Sequence, residues 1–417
     1  MKFFLYSLNY SPELTGIGKY NGELAPYMAN RSVDVTVLTA PPYYPEWQVK
    51  EGYKNVFSTA AEKQFKVIRA PLYVPKNVTT LKRLIHLASF AITSGVRLLS
   101  QISKKPDVIM LVQPTLFCAP ITLLFAKLTG AKSIMHIQDF EVDAMFGLGL
   151  VGSRESTKQS FLKKIIIKIE SWLLKRFDVV SSISYNMLEN AKNKGVEGSK
   201  LLFFPNWSDT AFVNPNVCGK EIRTKLGYDE NDKVVLYSGN IGKKQGLEVV
   251  IDAAKYFKDQ VEVKFLIIGN GAYSEELRFL AESERLSNIQ FLPLQAWEDV
   301  PKILSMTDIH LVVQKKGAAD AVLPSKLTNI LSVGGHALVT AESHTELGKI
   351  EQEYPNIYKL VEPESAPAFI QGLESLLQTD TKQINQSARN YAEQNLNIDQ
   401  VIGRFINDLN FLVKGKS

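Results

Sequence analysis

The sequence predicts an α/β protein made of two doubly wound, parallel-sheet domains. Three observations carry that expectation. Short β-rich apolar runs alternate with longer helical patterns along all 417 residues, as buried parallel strands joined by crossover helices do. A chain of this length has room for two or three separate cores. The two series of strands also open alike, on Leu5-Tyr6-Ser7-Leu8-Asn9 and Leu236-Tyr237-Ser238-Gly239-Asn240.

In the first series, strands are expected over 2–8, 34–38, 67–70, 107–112, 133–137, 179–182 and 201–204, with helices over 18–30, 80–103, 118–129, 158–176 and 184–194. The start, Met1 to Leu8, is too short for a signal-peptide core and reads as a strand. Val108 to Ala126 is 19 residues without a charge, nominally long enough to span a bilayer. Pro114 and Pro120 interrupt it, so it reads as a buried strand followed by a turn. The second series has strands over 234–237, 263–268, 289–291, 309–313 and 337–340, with helices over 246–257, 274–286, 299–306, 325–333 and 366–377. A Pro/Asn-rich stretch from Pro205 to Gly219 suits a linker. This puts one domain at 1–207 and the other at 208–391, with a final helical pattern over 392–417 packing back onto the first. Ligands of such sheets bind at the carboxyl ends of strands, so a cleft between the domains is the expected site.

Composition excludes several classes. With 45% apolar and 22% charged residues, the chain is neither disordered nor collagenous. Cys118 and Cys218 have no CxxC or metal spacing and read as buried thiols of a reducing compartment. A net charge of +5 says little by itself, but its distribution does. Lys76 to Lys105 holds six Lys/Arg and no acid, and Val151 to Phe177 holds seven against Glu155 and Glu170. Both are interleaved with large apolar residues, which suits either an anionic membrane surface or a solvated helix face. The patterns of common RNA and DNA modules are absent, so no nucleic-acid partner is expected.

Three glycine-bearing loops follow strands. Gly16-Ile-Gly18-Lys-Tyr20 would need a glycine at Asn21 to be a dinucleotide fingerprint, and Gly269-Asn-Gly271 has Ser274 at the matching place. Gly239-Asn240-Ile-Gly242-Lys243-Lys244-Gln245-Gly246 lacks the spacing of a Walker A loop. Each suits backbone approach to a phosphate or sugar, or an ordinary tight turn. Leu323-Pro-Ser325-Lys326-Leu-Thr-Asn329 is more specific. Pro324 and Ser325 suit a helix start, where Lys326 and free N–H groups would hold a diphosphate without a metal. Asp139-Phe-Glu141-Val-Asp143 offers acids for a divalent cation or a hydrolase pair, or is a solvated loop. The five histidines lack zinc-ligand spacing, and His136, at a strand end, is either a site residue or a core histidine.

Taken in order, these segments resemble retaining family 4 glycosyltransferases of the GT-B fold, and more closely the colanic-acid-type exopolysaccharide fucosyltransferases. The resemblance covers nearly the whole chain. It rests on Tyr10 to Tyr20, His136 to Asp143, Phe204-Pro-Asn-Trp-Ser-Asp209, Tyr237 to Glu248 and Leu323 to Asn329. It implies a nucleotide-diphosphate sugar donor, with GDP-fucose the best guess, and a lipid-linked (polyprenyl-diphosphate) saccharide acceptor. Retention of configuration, no cofactor, no metal, and a cytoplasmic location peripheral to the inner face of the membrane follow from it. By position, Gly239, Lys243, Lys244, Ser325 and Lys326 would hold the donor diphosphate, with Gly269, Gly271 and Leu294 near the nucleoside; Asn240 and Asn329 belong to the same donor site, with Asn329 available to hydrogen-bond the ribose. Gly16 and Gly18 would approach the donor from the other domain, and His136 and Asp139 would face the reacting sugar or the acceptor. The chain departs from the pattern at Asn240 and Gln245, where many members carry Arg and Lys. It departs again at Ala321 and Asn329, which replace two glutamates eight positions apart. A hydrolase using Asp139, Glu141 and Asp143, or a non-catalytic nucleotide-sugar-binding protein, are the alternatives.

Overall fold

The computed structural model describes residues 1–13, 16–62, 64–140, 157–317 and 324–415, with the backbone alone for 157–162. Contacts divide the chain into two compact units, Met1–Pro205 with Ile402–Ser417, and Asn206–Val401.

The first unit carries strands β1 (Lys2–Ser7), β2 (Asp34–Thr39), β3 (Ser58–Ala61), β4 (Lys66–Arg69), β5 (Val108–Val112), β6 (Lys132–Ile137), β7 (Val179–Ser182) and β8 (Leu201–Phe203). They form one sheet in the order β3-β4-β2-β1-β5-β6-β7-β8, parallel except for the β3–β4 pair. The described helices are α1 (Gly16–Asn30), α2 (Thr80–Leu99), α3 (Ala119–Thr129), α4 (Thr157–Leu174) and α5 (Tyr185–Asn193). Local signals set their ends. The Thr79 hydroxyl accepts from the Lys82 N–H at 3.3 Å to cap α2, and α3 stops at Gly130 with φ of 75°. Every residue of β5 is buried, as a central parallel strand with both faces covered requires. The uncharged stretch expected to be a strand and a turn is β5, a 3₁₀ turn at Leu116–Cys118, and α3. Among the described residues no helix is long and apolar enough to cross a membrane.

The second unit is a parallel sheet of β9 (Lys233–Ser238), β10 (Val263–Ile268), β11 (Ile289–Leu292), β12 (Ile309–Val312), β13 (Ala337–Thr340) and β14 (Lys359–Val361), in the order β11-β10-β9-β12-β13-β14. Its helices are α6 (Lys220–Lys225), α7 (Glu248–Tyr256), α8 (Ser274–Ser283), α9 (Val300–Ser305), α10 (Ser325–Ser332), α11 (Glu346–Glu353), α12 (Ala366–Leu377) and α13 (Gln386–Tyr391). The pleat splits the core cleanly. Val234, Leu236, Leu266, Ile268 and Val312 pack on one face of the sheet, and Val235, Tyr237, Phe265, Ile267 and Leu311 on the other.

A last helix, α14 (Ile398–Lys414), joins the first unit from Ile402 onward. There Phe405 stacks on Phe204 at 3.9 Å between ring centroids and meets Phe3 edge-on at 6.3 Å. The expected return to the first domain at 392 comes ten residues late. Ala392 and Leu396, in a π-helical turn, are buried in the second unit's core, and Ile398 donates its N–H to the Ser208 carbonyl at 3.1 Å. Cys218, expected to be buried, is exposed, whereas Cys118 is buried. In each sheet the strand order reverses once, between β1 and β5 and between β9 and β12. The carboxyl ends beside such a reversal are where open α/β sheets take ligands.

Candidate active site

In the second unit, two glycine loops and the start of α10 meet at the carboxyl end of β9. Gly239 leaves β9 with φ of 149°, and a Cβ there would lie 3.0 Å from Lys326 Nζ. Gly269 and Gly271 do something other than face a ligand. A Cβ on Gly269 would fall 1.9 Å from the Gly239 carbonyl oxygen, and one on Gly271 2.1 Å from that of Ile241. Both glycines exist so that the loop after β10 can lie directly against the loop after β9. The Gly239 N–H donates to Ile268 O and the Ile241 N–H to Asn270 O, both at 2.9 Å. Gln245, out of line with the resemblance, caps the loop by accepting from the Gly242 N–H at 3.1 Å.

Lys326 sits in the first turn of α10, with its ammonium 3.8 Å from the Tyr237 ring centroid. The residue is half-buried, yet burial around the ammonium pushes its pKa down to about 7. Among the described residues no carboxylate pairs with it, so the charge is costly until an anion arrives. Lys243 and Lys244 are exposed. Lys243 pairs with Glu276 at 3.4 Å in solvent. Ser325, Asn240 and Leu294 are exposed too, and Asn329 accepts from the Ser208 hydroxyl at 2.9 Å. Asp320 and Ala321 lie outside the described residues. His310, on β12, was missed as a neighbour of this site. It lines a cavity of about 50 Å³ with Ser238, Lys326 and Asn329, and neither ring nitrogen has a hydrogen-bond partner among the described residues.

In the first unit, Gly16 opens α1 with φ of 56° and is exposed. Gly18 is buried, and its missing Cβ makes room for Glu13, whose own Cβ would be 2.6 Å away. Glu13 was overlooked in the sequence. Its carboxylate accepts from the Tyr43 and Tyr44 N–H groups at 3.0 Å and from Asn9 Nδ2 at 2.9 Å. Burial nevertheless pushes its pKa up. The Tyr43 hydroxyl then meets His86 Nε2 at 2.9 Å, and His86 Nδ1 donates to Tyr73 O at 2.6 Å. Asn21, the residue that spoils the dinucleotide fingerprint, donates to Ser7 Oγ and to Asn9 O at 2.8 and 3.0 Å.

His136 is 2% exposed, and both its nitrogens are engaged. Gln138 Nε2 donates to its Nε2 at 3.0 Å, leaving Nδ1–H to donate to Ser181 Oγ at 2.9 Å. Burial holds its pKa at about 3, so the ring is neutral at pH 7. The core-histidine alternative describes this placement. Asp139, two residues past the strand, is exposed, while Glu141 and Asp143 lie outside the described residues. Gln113, at the β1–β5 reversal, is 0% exposed, and neither amide atom has a hydrogen-bond partner among the described residues. Its position after an apolar strand was the available signal.

Comparison with known proteins gives the family. Residues 15–207 match the Glycosyl transferase 4-like domain and 219–395 match Glycosyl transferases group 1. The chain is 48% identical over 412 residues to the candidate colanic acid biosynthesis glycosyl transferase WcaI of Escherichia coli (strain K12), covering 98% of this chain and 100% of that one. The chain belongs to the group 1 glycosyltransferases. The glycosyltransferase is similar in fold to the sucrose-phosphate synthase of Thermosynechococcus elongatus, with a TM-score of 0.77 at 13% identity over all of both chains. It is also similar to Anabaena HepE in complex with UDP, with a TM-score of 0.70 at 14% identity over 98% and 100% of the chains. The lipopolysaccharide glycosyltransferase WaaG matches with a TM-score of 0.64 at 15% identity over 98% and 99%. Both halves therefore have the parallel-sheet architecture of GT-B enzymes. The hydrolase and non-catalytic alternatives are set aside, since the family transfers sugars.

Proposed function

We propose that this glycosyltransferase moves L-fucose from GDP-fucose to a polyprenyl-diphosphate-linked saccharide in bacterial exopolysaccharide biosynthesis, with retention and without a metal. The observation that carries the reading is Lys326, a half-buried ammonium with a depressed pKa beside the glycine loop. Support for the pathway comes from the relative named for colanic acid biosynthesis, 48% identical. In the proposed step an acceptor hydroxyl attacks the anomeric carbon, the bond from that carbon to the diphosphate oxygen breaks, and the hydroxyl proton leaves to that oxygen on the same face. The negative charge growing on the diphosphate is the main thing to stabilise. Lys326, the Gly239 loop and the start of α10 would do that, while Lys243, Lys244, Ser325 and Asn329 take outer positions. Leu294, near Gly269 and Gly271, would border the nucleoside. On the acceptor side Gly16 and Gly18 shape the first loop, Asp139 faces the reacting sugar, and His136 positions the strand end behind it. An acceptor of this kind calls for an anionic membrane surface on the cytoplasmic side.

The test is a thermal-shift screen of GDP-, UDP- and dTDP-sugars followed by turnover with a polyprenyl-diphosphate saccharide, with and without EDTA. Stabilisation by GDP-fucose, and turnover that survives EDTA and gives the retained anomer, are expected. Stabilisation by another nucleotide sugar alone would replace the donor. Loss with EDTA and rescue by Mn²⁺ would replace the metal-free site.

A further inference from the structure

His310 is a polar residue where a buried parallel strand asks for an apolar one. It stands inside β12 between Ile309 and Leu311, 1% exposed, and neither ring nitrogen has a hydrogen-bond partner among the described residues. A neutral imidazole carries one donor and one acceptor, and leaving both unmade in a core is costly. The fold nevertheless makes room for the ring. A Cβ on Gly335 would lie 2.5 Å from His310 Cδ2 and 2.6 Å from Nε2. Gly335 does not adopt the left-handed backbone of its neighbour Gly334, which has φ of 65°. Space for the ring, not backbone conformation, is what the missing Cβ of Gly335 provides.

The ring borders the cavity of about 50 Å³ that Ser238, Lys326 and Asn329 share with it, and apolar residues of β9, α9 and α10 close the rest. About 10–15 Å³ is room for a water, which needs roughly two to four polar partners. This cavity offers both. We propose that His310 is a positioning residue for the donor-binding lysine: a water held in the cavity accepts from the Lys326 ammonium and donates to a ring nitrogen of His310, fixing the ammonium beside the Gly239 turn. The inference rests on the reading that Lys326 holds the donor diphosphate. Few other charges compete with this link. Every residue lining the cavity besides His310 and Lys326 is non-ionisable. The titratable neighbours along the backbone are His336, whose carbonyl accepts from the His310 N–H at 2.8 Å, and Asp308, engaged by Arg223 at 3.1 Å. Burial, with His336 a smaller cause, holds the His310 pKa at about 3, so at neutral pH the ring is uncharged and can accept. An acceptor one water away from the ammonium favours its charged form, which is the form that binds a diphosphate.

The test is the affinity of the full chain for GDP-fucose, and in parallel for UDP-glucose and dTDP-glucose, by calorimetry from pH 6 to 9. The diphosphate these donors share does not titrate in that window. His310→Leu should move the fall in affinity down by roughly one pH unit, raising Kd roughly tenfold at pH 8 and only about twofold at pH 6. His310→Asn and His310→Gln put an amide where Nδ1 or Nε2 stands, and at least one should return to within about twofold of wild type. In Lys326→Met no ammonium is left to position, so adding His310→Leu should change Kd by less than about twofold. A misfolded fraction lowers the number of binding sites and leaves the pH midpoint in place, so loss of fold cannot imitate the shift. A high-resolution crystal structure should show a water within hydrogen-bond distance of both His310 and Lys326 Nζ. The inference is overturned if His310→Leu keeps the wild-type profile or moves it to higher pH, or if neither amide variant recovers. It is equally overturned if the effect survives in Lys326→Met, or if no such water is found. Should none of the three donors bind, or Lys326→Met bind as wild type does, the diphosphate reading falls and the inference with it. Wild-type behaviour of His310→Leu beside a weakened Lys326→Met sinks the inference alone.

Discussion

The loops after β1 and after β9 begin with nearly the same five residues and end up with opposite characters. After β1, Leu8 turns inward and the loop fills with its own polar side chains. Asn9, Glu13 and Asn21 bond one another and the backbone around them. After β9, Gly239 takes the place of Leu8, and the loop lies over an ammonium. The two tyrosines follow suit. Tyr6 is fully buried, its hydroxyl 2.5 Å from Ser94 Oγ, whereas Tyr237 donates to the Asn240 carbonyl at 2.7 Å and offers its ring face to Lys326. A shared strand end therefore fixes architecture alone. One side chain at the turn decides whether the loop is internally satisfied or left open for an anion.

The largest effect expected is from closing the open loop. Gly269→Ala would drive its Cβ to 1.9 Å from the Gly239 carbonyl oxygen, a backbone atom that cannot swing aside as a flexible side chain could. Overpacking plus strain should cost about 3–5 kcal/mol of the second unit's stability. Chemical denaturation followed by Trp297 and Trp207 fluorescence reads it. A loss under 1 kcal/mol would mean the loops sit further apart than described.

Next comes the ammonium itself. Lys326→Ala should lower kcat/KM by roughly 10–150-fold, the worth of one charge-assisted bond of about 1.5–3 kcal/mol, with the fold retained. The pH dependence sharpens this. With a free-enzyme pKa of about 7, the lysine loses its charge as pH rises, so donor affinity should fall through pH 7 to 9. A bound diphosphate raises that pKa, which is why the fall is spread over the window. Calorimetry with donor should show this slope in wild type and a flat profile in Lys326→Met.

The closed loop should respond less. Glu13→Gln keeps an oxygen to accept from Tyr43 and Tyr44 but turns an N–H₂ toward Asn9, costing about 1 kcal/mol. Glu13 has a raised pKa in the folded chain, so the fold binds its proton more tightly than the unfolded chain does. Its contribution is therefore best at low pH and declines as pH rises through the raised pKa. Relative to Glu13→Gln, wild type should lose stability as pH rises above about 4.5, read by urea denaturation.

Much of this was legible in the chain. Apolar runs such as Val108 to Val112 gave the central strands, because a buried parallel strand must be apolar throughout. The strands at the sheet edges were not legible. Ser58-Thr-Ala-Ala61 is exposed along its whole length and Lys359-Leu-Val361 is three residues long, so neither has a periodic signal. Helices α6, α11 and α13 were not legible either, being six to eight mostly polar residues each with too few apolar positions to mark a stripe. In the site, Pro324 and Ser325 announced a helix start, and Lys326 was placed in its first turn from sequence. The depth of its ammonium came only from where Tyr237 and Gly239 fold. Glu13 was invisible because a polar residue in a loop looks solvated until its neighbours are in place, and at Gln113 the one hint was its place directly after an apolar strand.

The smallest effect expected tests whether the open loop works through one lysine or three. Lys243 stands next to the Gly239 turn in sequence and looks as good a phosphate ligand as Lys326. In the structure its ammonium is largely in solvent, 3.4 Å from Glu276 and 5.6 Å from the Tyr273 ring centroid. An exposed pair of this kind is worth roughly 0–1 kcal/mol, and its partner already screens it from a donor. Lys243→Ala should therefore leave Tm unchanged and raise the donor KM less than about fivefold, with kcat intact. Raising the salt to about 0.5 M should erase most of that difference, because exposed charges are screened at a few ångströms. The Lys326 effect should persist in the same salt, its charge being enclosed. Steady-state kinetics of both variants at two ionic strengths separates the cases. If Lys243→Ala lowers kcat/KM as far as Lys326→Ala does, and salt leaves it there, the loop must fold onto the diphosphate and pull Lys243 away from Glu276. The contrast between an enclosed and a solvated lysine would then belong to the empty enzyme alone.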